Sequence, residues 1–270
     1  MRIPITLFII FGLLIPGMAQ SEWNTQGARS AGMGFSSAAV IDFWSVNNNQ
    51  AGMAFYDKTA VGAYFENRYL VKEAGTQTGA FLLKTKSGVF GATVGYTGDA
   101  NFSTTKAGLA YALKLGKRFS AGVQLDYIGT TLGDEYGSRS NFTFDAGIMV
   151  LITDQLTFGA HTFNPMHVKL SDYNNESIPT TMNAGFGFTF SDRLLLTAEA
   201  CKNSEFPMEF RSGLECKLGK VAFARIGLST NPARYTFGFG LEMKKFTLDM
   251  SSSVHSQLGY SPQVSMQYAF

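Results

Sequence analysis

The nine residues Tyr235-Thr236-Phe237-Gly238-Phe239-Gly240-Leu241-Glu242-Met243 alternate without a lapse between large apolar side chains and small or polar ones. Successive side chains of a β-strand point to opposite faces, so this stretch reads as a strand with one greasy face and one face of Thr, Gly and Glu. The same alternation runs through Phe119–Tyr127, Asn141–Val150 and Met182–Phe190. Which face meets the core decides the fold. A soluble sandwich or lipocalin-like barrel turns the greasy face inward and clothes the other in bulky charged residues. A membrane barrel turns the greasy face to lipid and keeps the polar face in its lumen. Here the second face is mostly Gly, Ser and Thr, and rings lie near the ends of the greasy one (Phe119, Tyr127, Tyr235, Phe246, Tyr268), where aromatic girdles belong. We therefore expect an all-β chain, a transmembrane antiparallel β-barrel.

Working outward, fourteen such segments can be marked: 60–71, 77–85, 88–97, 104–115, 119–129, 141–152, 155–165, 180–190, 193–203, 207–217, 220–230, 234–244, 246–255 and 261–270. Twelve is the rival count. Most have the roughly 9–11 residues that a tilted membrane strand needs. Every second connection is short (Lys86-Ser87, Asp154, Ser191-Asp192, Lys245) and the alternate ones are longer, as in 130–140 and 166–179. An even count with this rhythm suits a barrel with tight periplasmic turns, closed so that no strand edge is left unpaired in lipid. The chain ends on Val264, Met266, Tyr268 and Phe270, all on one face. That ending is similar to the C-terminal signal read by the barrel assembly machinery, and Tyr268 and Phe270 are its expected contacts.

Three domain-level expectations follow. Residues 1–19 read as a cleaved signal peptide: Arg2, an apolar run from Ile5 to Ile15 too short to span a membrane, and small residues before Gln20. Residues 20–59 form an N-terminal segment and 60–270 the barrel, placed integrally in a bacterial outer membrane with its lipid as the surrounding partner. Only 16% of residues are charged and the formal net charge is +2, so no nucleic acid is expected as a partner. Cys201 and Cys216 fall on opposite faces of neighbouring strands and are expected to be free thiols.

The N-terminal segment has neither period. Gly27 to Ala54 mixes small residues with Phe35, Phe43 and Trp44 and closes on Asn47-Asn48-Asn49-Gln50, which reads as a plug folded inside the barrel. Its motifs, Gly27-Ala28-Arg29 with Gly32-Met33-Gly34, then Asn49-Gln50-Ala51-Gly52-Met53-Ala54, resemble the N-terminal signature of the FadL/PorV-like outer-membrane barrels. Arg225-Ile226-Gly227 and Gly238-Phe239-Gly240 resemble late strands of the PorV/PorQ branch of Bacteroidota. Gln50 stands where that family usually has Pro. The resemblance implies a fourteen-stranded barrel with a small plug. With the short outer loops, it leads us to expect a structural or accessory subunit of a larger envelope machine, in protein secretion (type IX) or outer-membrane protein assembly, partnered by other envelope proteins. The alternative it implies is a passive transporter of small hydrophobic molecules, whose lateral gate would lie in the third strand at Gly91 and Gly95.

The register puts Glu66, Asp126, Asp145, Glu199, Glu209, Glu215, Glu242 and Asp249 on the inward face with Arg68, Lys84, Lys106, Lys114, Arg211 and Arg225. Such mixed signs suit an ion-paired wall rather than a ring of one sign. No catalytic function and no cofactor is expected: His161, His167 and His255 show no metal-ligand spacing, and Gly32-Met33-Gly34 lacks the strand and helix that frame a phosphate loop.

Overall fold

The computed structural model describes residues 25–132, 137–168 and 178–270. The expected signal peptide lies outside the described residues. Fourteen strands form one closed antiparallel barrel in which each strand pairs with its neighbours in sequence and the first pairs with the last. They are β1 (Ala60–Asn67), β2 (Gly75–Lys84), β3 (Val89–Gly98), β4 (Phe102–Lys114), β5 (Phe119–Leu132), β6 (Ser138–Leu151) and β7 (Leu156–Phe163). The return half is β8 (Thr181–Ser191), β9 (Leu194–Asn203), β10 (Glu209–Leu218), β11 (Ala222–Ser229), β12 (Arg234–Met243), β13 (Phe246–His255) and β14 (Gly259–Ala269). Fourteen is thus the count, not twelve.

The alternation resolves as expected. On β12, Phe237 and Phe239 stand on the outside, the latter 65% exposed, while Thr236 is buried toward the lumen. Ser120, Gln124, Asp126, Asp145 and Gln263 are buried inside on other strands. An apolar belt around a polar interior inverts the plan of a soluble domain and suits lipid outside.

Strand ends differ from the sequence reading where the backbone turns left-handed. β1 stops at Asn67 rather than continuing to 71, because Tyr69 and Leu70 have φ of 56° and 58°, and the Tyr69 N–H donates to Ser261 Oγ at 2.9 Å. β7 stops at Phe163 because Asn164 has φ 48°. Its side chain accepts from Thr143 Oγ1 at 2.7 Å and donates to the Ile178 carbonyl at 2.6 Å. The β5–β6 hairpin runs further out than expected, pairing as far as Thr131 with Ser138.

The non-periodic stretch lies inside the barrel as two short helical turns, α1 (Ala28–Gly32) and α2 (Ser45–Asn48), and a 3-10 turn at Gln50–Phe55. Phe43, Trp44, Val46 and Met53 pack with Ala60, Tyr64, Leu82, Val89, Ala110 and Ala112 into an apolar core within the wall. Wall glycines make room for it: a Cβ at Gly227 would strike the backbone of Gly34, and one at Gly159 the carbonyl of Ala38. Gly34 itself has φ 67°, a conformation that L side chains rarely adopt. Cys201 and Cys216 are not joined by a disulfide; Cys201 is buried on the lumen side and Cys216 is half-buried on the other face of the neighbouring strand.

An apolar outer belt makes one substitution diagnostic. Phe239→Arg should destabilise the barrel by about 2–4 kcal/mol if the site is near the bilayer midplane. Urea titration in lipid vesicles measures this, and a cost near zero would count against lipid contact at that face.

Candidate functional site: the ion-paired lumen

Inward charges in a closed barrel cannot reach bulk water, so each needs a partner or a hydrated pocket. The wall and the luminal segment supply three clusters. In the first, the Arg29 guanidinium on α1 grips Glu215 of β10 through two hydrogen bonds, 2.9 and 2.7 Å. Arg225 of β11 donates to the same carboxylate at 2.6 Å and to Asp249 of β13 at 2.7 Å. The two-pronged guanidinium–carboxylate contact fixes orientation as well as charge. Asp42 joins at the edge, 3.6 Å from Arg29.

The second cluster holds the middle of the segment. Glu199 of β9 accepts the N–H groups of Ser37 and Ala38, each at 2.7 Å. Arg211 bridges Glu199 at 3.2 Å and Glu209 at 2.7 Å, and Arg234 reaches Glu209 at 2.7 Å. The Arg234 guanidinium also lies 4.5 Å over the Phe35 ring. In the third, Lys106 sits between Asp126 (3.3 Å) and Asp145 (3.4 Å) and 4.5 Å over the Phe163 ring.

Two cavities flank the luminal segment. An outer one of about 60 Å³ is lined by Lys106, Asp145, His161, Asn183 and Arg211, with Ser37 and Asn47 from the segment. Among the described residues Asp145 Oδ1, Asn183 Oδ1, Asn47 Nδ2 and both His161 nitrogens have no hydrogen-bond partner, His161 Nε2 lying 3.8 Å from Asp145 Oδ2. Unpaired buried polar atoms around a space of this size mark a hydrated chamber. An inner cavity of about 180 Å³ touches Arg29, Asp42, Trp44, Tyr56, Glu215 and Arg225. Above the outer cavity lies a small apolar cluster in the mouth: Ile128, Phe163 and Ile178, with Val168 against them.

The residues singled out from sequence take the following places. Gly27 has φ 94° and its Cα faces the Trp44 ring; the Ala28 N–H donates to Ser265 Oγ at 3.1 Å. Gly32 packs on Gly238, and Gly52 leaves no space against Ser45. Asn49 donates to the carbonyls of Ala38 (2.6 Å) and Ile148 (3.2 Å), so it joins two parts of the segment to the wall. Glu66 is buried and lies 3.6 Å from Arg68, which stands in a turn after β1 rather than on the strand. Lys84, Lys114 and Glu242 are exposed at the turn end, each at or one step before the end of its strand, and stand at the rim of the lumen: Lys84 pairs with Asp57, Lys114 lies 5.1 Å over the Phe55 ring, and Glu242 lines the inner cavity. Arg234 was missed. It occupies the first position of β12, and alternation from Thr236 would have placed it inward. Gly91 packs under Val46 and Met53, and Gly95 against Thr78. β3 pairs with β2 from Val89 to Thr97 and with β4 from Val89 to Gly98 without a register shift, so no break stands at either glycine. Tyr268 and Phe270 stack edge to face at 5.3 Å on the outside of the barrel end.

No family model matches the sequence and no curated protein matches it. Among solved structures, the chain is similar to a Pseudomonas aeruginosa FadL homologue at 14% identity, over 91% of this chain and 98% of that one, with TM-score 0.69. The fold is FadL-like. It is also similar to the Ralstonia pickettii toluene transporter TbuX (13% identity, 90% and 98% covered, TM-score 0.71) and to the CymD monoaromatic hydrocarbon channel (13%, 91% and 97%, 0.70).

The packing of the FadL-like lumen makes two predictions. Gly159→Val should leave the barrel folded, with its heat-modifiable gel mobility intact, but unseat the segment at Ala38; single-channel recordings in planar bilayers should then show larger and noisier conductance than the wild type. Asp42 provides the second. Burial pushes its carboxyl up from 3.8 to about 6, against the pull of Arg29. Stability drawn from Asp42 is therefore fully present below its ordinary value of 3.8 and lost as pH rises through about 6. Asp42→Asn, neutral throughout, should flatten the fall in melting temperature across that window.

Proposed function

We propose that this barrel is an integral outer-membrane channel that passes small hydrophobic molecules, in the manner that the names of its structural neighbours describe for them. The observation that carries the reading is the likeness of fold to several hydrocarbon channels across nine-tenths of the chain. The lumen adds a local reason. Its charges are paired, and the luminal segment, read as a plug spanning 20–59, closes the axial route to water-soluble solutes. The buried apolar cluster of Ile128, Phe163 and Ile178, with Val168 against it, gives an apolar solute that has entered the mouth a greasy contact along the inner wall.

A second reading keeps the chain as an accessory subunit of an envelope assembly of PorV/PorQ type, inserted through its C-terminal strand and held by protein partners. The unbroken β3 favours it, since nothing there opens the wall to a solute.

One experiment separates the two. The protein is expressed in cells lacking an outer-membrane hydrocarbon channel, and uptake of radiolabelled toluene is compared with that of a hydrophilic sugar of similar size. Passage predicts faster toluene uptake with sugar uptake unchanged, and Phe163→Asp should cut the gain several-fold. No gain in toluene uptake, together with stable co-purification of envelope proteins in mild detergent, would give the second reading the protein.

A further inference from the structure

The end of the barrel that carries the tight turns is also where the chain closes on itself, with the Phe270 N–H donating to the Thr59 carbonyl at 3.0 Å. In membrane barrels the short turns face the periplasm. Cations crowd this rim. The β2–β3 turn carries Lys84 and Lys86, and the β4–β5 turn Lys114, Lys117 and Arg118. Arg193 follows β8, Lys217 and Lys220 flank the β10–β11 turn, Lys244 and Lys245 form the β12–β13 turn, and Lys58 precedes β1. Together these are half of the chain's 22 basic residues.

The carboxylates at the same rim are Asp57, Asp154, Asp192 and Glu242. Asp57 is taken by Lys84 and Asp154 by Arg118. Lys86, Lys117, Lys220 and Lys244 are exposed and form no ion pair among the described residues. At the opposite end the described charges balance: Lys72, Arg139 and Lys202 against Glu73, Asp99 and Glu205. A chain of net charge +2 has therefore gathered a surplus of cations at one end.

Depth and distribution identify what that surplus meets. Lys245 lies 5.9 Å over the outward-facing Tyr268 ring. The Tyr111 hydroxyl donates to the Ser87 carbonyl at 2.8 Å, and its ring packs on Phe90 at 4.8 Å on the outer surface. The basic turns are thus tied to outward-facing aromatics, at the height where a bilayer changes from hydrocarbon to headgroup. The cations also stand on turns all around the barrel, with only the β6–β7 turn acidic. A protein docking at one side would need a single patch. An annulus of headgroups needs a ring.

We propose that the basic turn rim binds the phosphates of anionic phospholipids in the periplasm-facing leaflet. This goes beyond the channel reading and rests only on the barrel's lying in a membrane. The full-length protein is reconstituted in vesicles of equal parts phosphatidylethanolamine and phosphatidylglycerol, extracted mildly, and its retained lipid measured by native mass spectrometry. Phosphatidylglycerol should be enriched about 5–10-fold, less as salt rises, since exposed charges are screened. The fourfold variant K86E/K117E/K220E/K244E should fall to parity while keeping its folded gel mobility; the matching Lys→Gln set, which adds no repulsion, serves if the first misfolds. Equal retention of both lipids by the wild type, or unchanged enrichment in the variants, overturns the proposal. So does loss of co-purifying acidic periplasmic proteins from the variants with lipid enrichment intact, which would assign the rim to a protein partner.

Discussion

Closure of a fourteen-stranded sheet is the constraint on which the rest of this structure depends. In lipid every backbone N–H and C=O must find a partner within the chain, and pairing β1 with β14 achieves that. Closure has a second consequence. A barrel of this circumference encloses more space than its own inward side chains fill. The residues of the N-terminal segment occupy that space, and the wall thins to glycine where they press on it, as at Gly159, Gly213 and Gly227. The wall and its filling therefore fit only as a pair. The nearest atoms to a Cβ at Gly159 all belong to Ala38 and Ala39 of the segment, so a bulky residue there collides because the barrel is filled.

Electrostatics binds the two together. Removing a charge from water costs several kcal/mol, and a buried pair recovers that only with good geometry and with its remaining donors and acceptors satisfied. Glu215 shows how narrowly this is met: both its oxygens are taken, by Arg29 of the segment and Arg225 of the wall. Arg29 spans both oxygens, and Arg225 shares Oε2 with it while reaching on to Asp249. Glu199 meets the same demand differently, holding Arg211 with one oxygen and two backbone N–H groups with the other. Such pairs add less to net stability than to register. They specify which part of a low-periodicity segment faces which strand.

How much of this was legible depended on whether the signal was local. Alternation is local, so all fourteen strands could be read, and the inward faces of β9, β10 and β13 came with them. Strand ends were not, because they are set by single left-handed residues such as Tyr69 and Asn164, whose conformation depends on distant partners, Ser261 and Ile178. Alternation carries no information about depth, so it puts Lys84, Lys114 and Glu242 on the inward face without showing that they stand exposed at its turn-end rim. The same logic, applied one residue further, would have found Arg234. The segment's contacts were beyond reach: Arg29 meets Glu215 across 186 positions of sequence, and no pattern within either neighbourhood announces the other.

The division between outer and inner ends gives the barrel a direction. Outside lie the longer connections, the apolar cluster of Ile128, Phe163 and Ile178, and a hydrated chamber below them where Asp145 Oδ1, Asn183 Oδ1 and Asn47 Nδ2 have no hydrogen-bond partner among the described residues. Inside lies the tighter end, with Phe43, Trp44 and Met53 in a dry core against the wall and cations around the turns. A solute moving inward must part the buried apolar cluster, then meets polar atoms already provided with room for water, and then the ion-paired segment. Each layer is harder to displace than the one before. Opening the first requires moving a few side chains, whereas opening the last requires breaking Arg29 from Glu215, which leaves Glu215 to Arg225 and Arg29 to its longer contact with Asp42. Any passage through this barrel must therefore be decided at the Arg29–Glu215 contact or leave the lumen before reaching it.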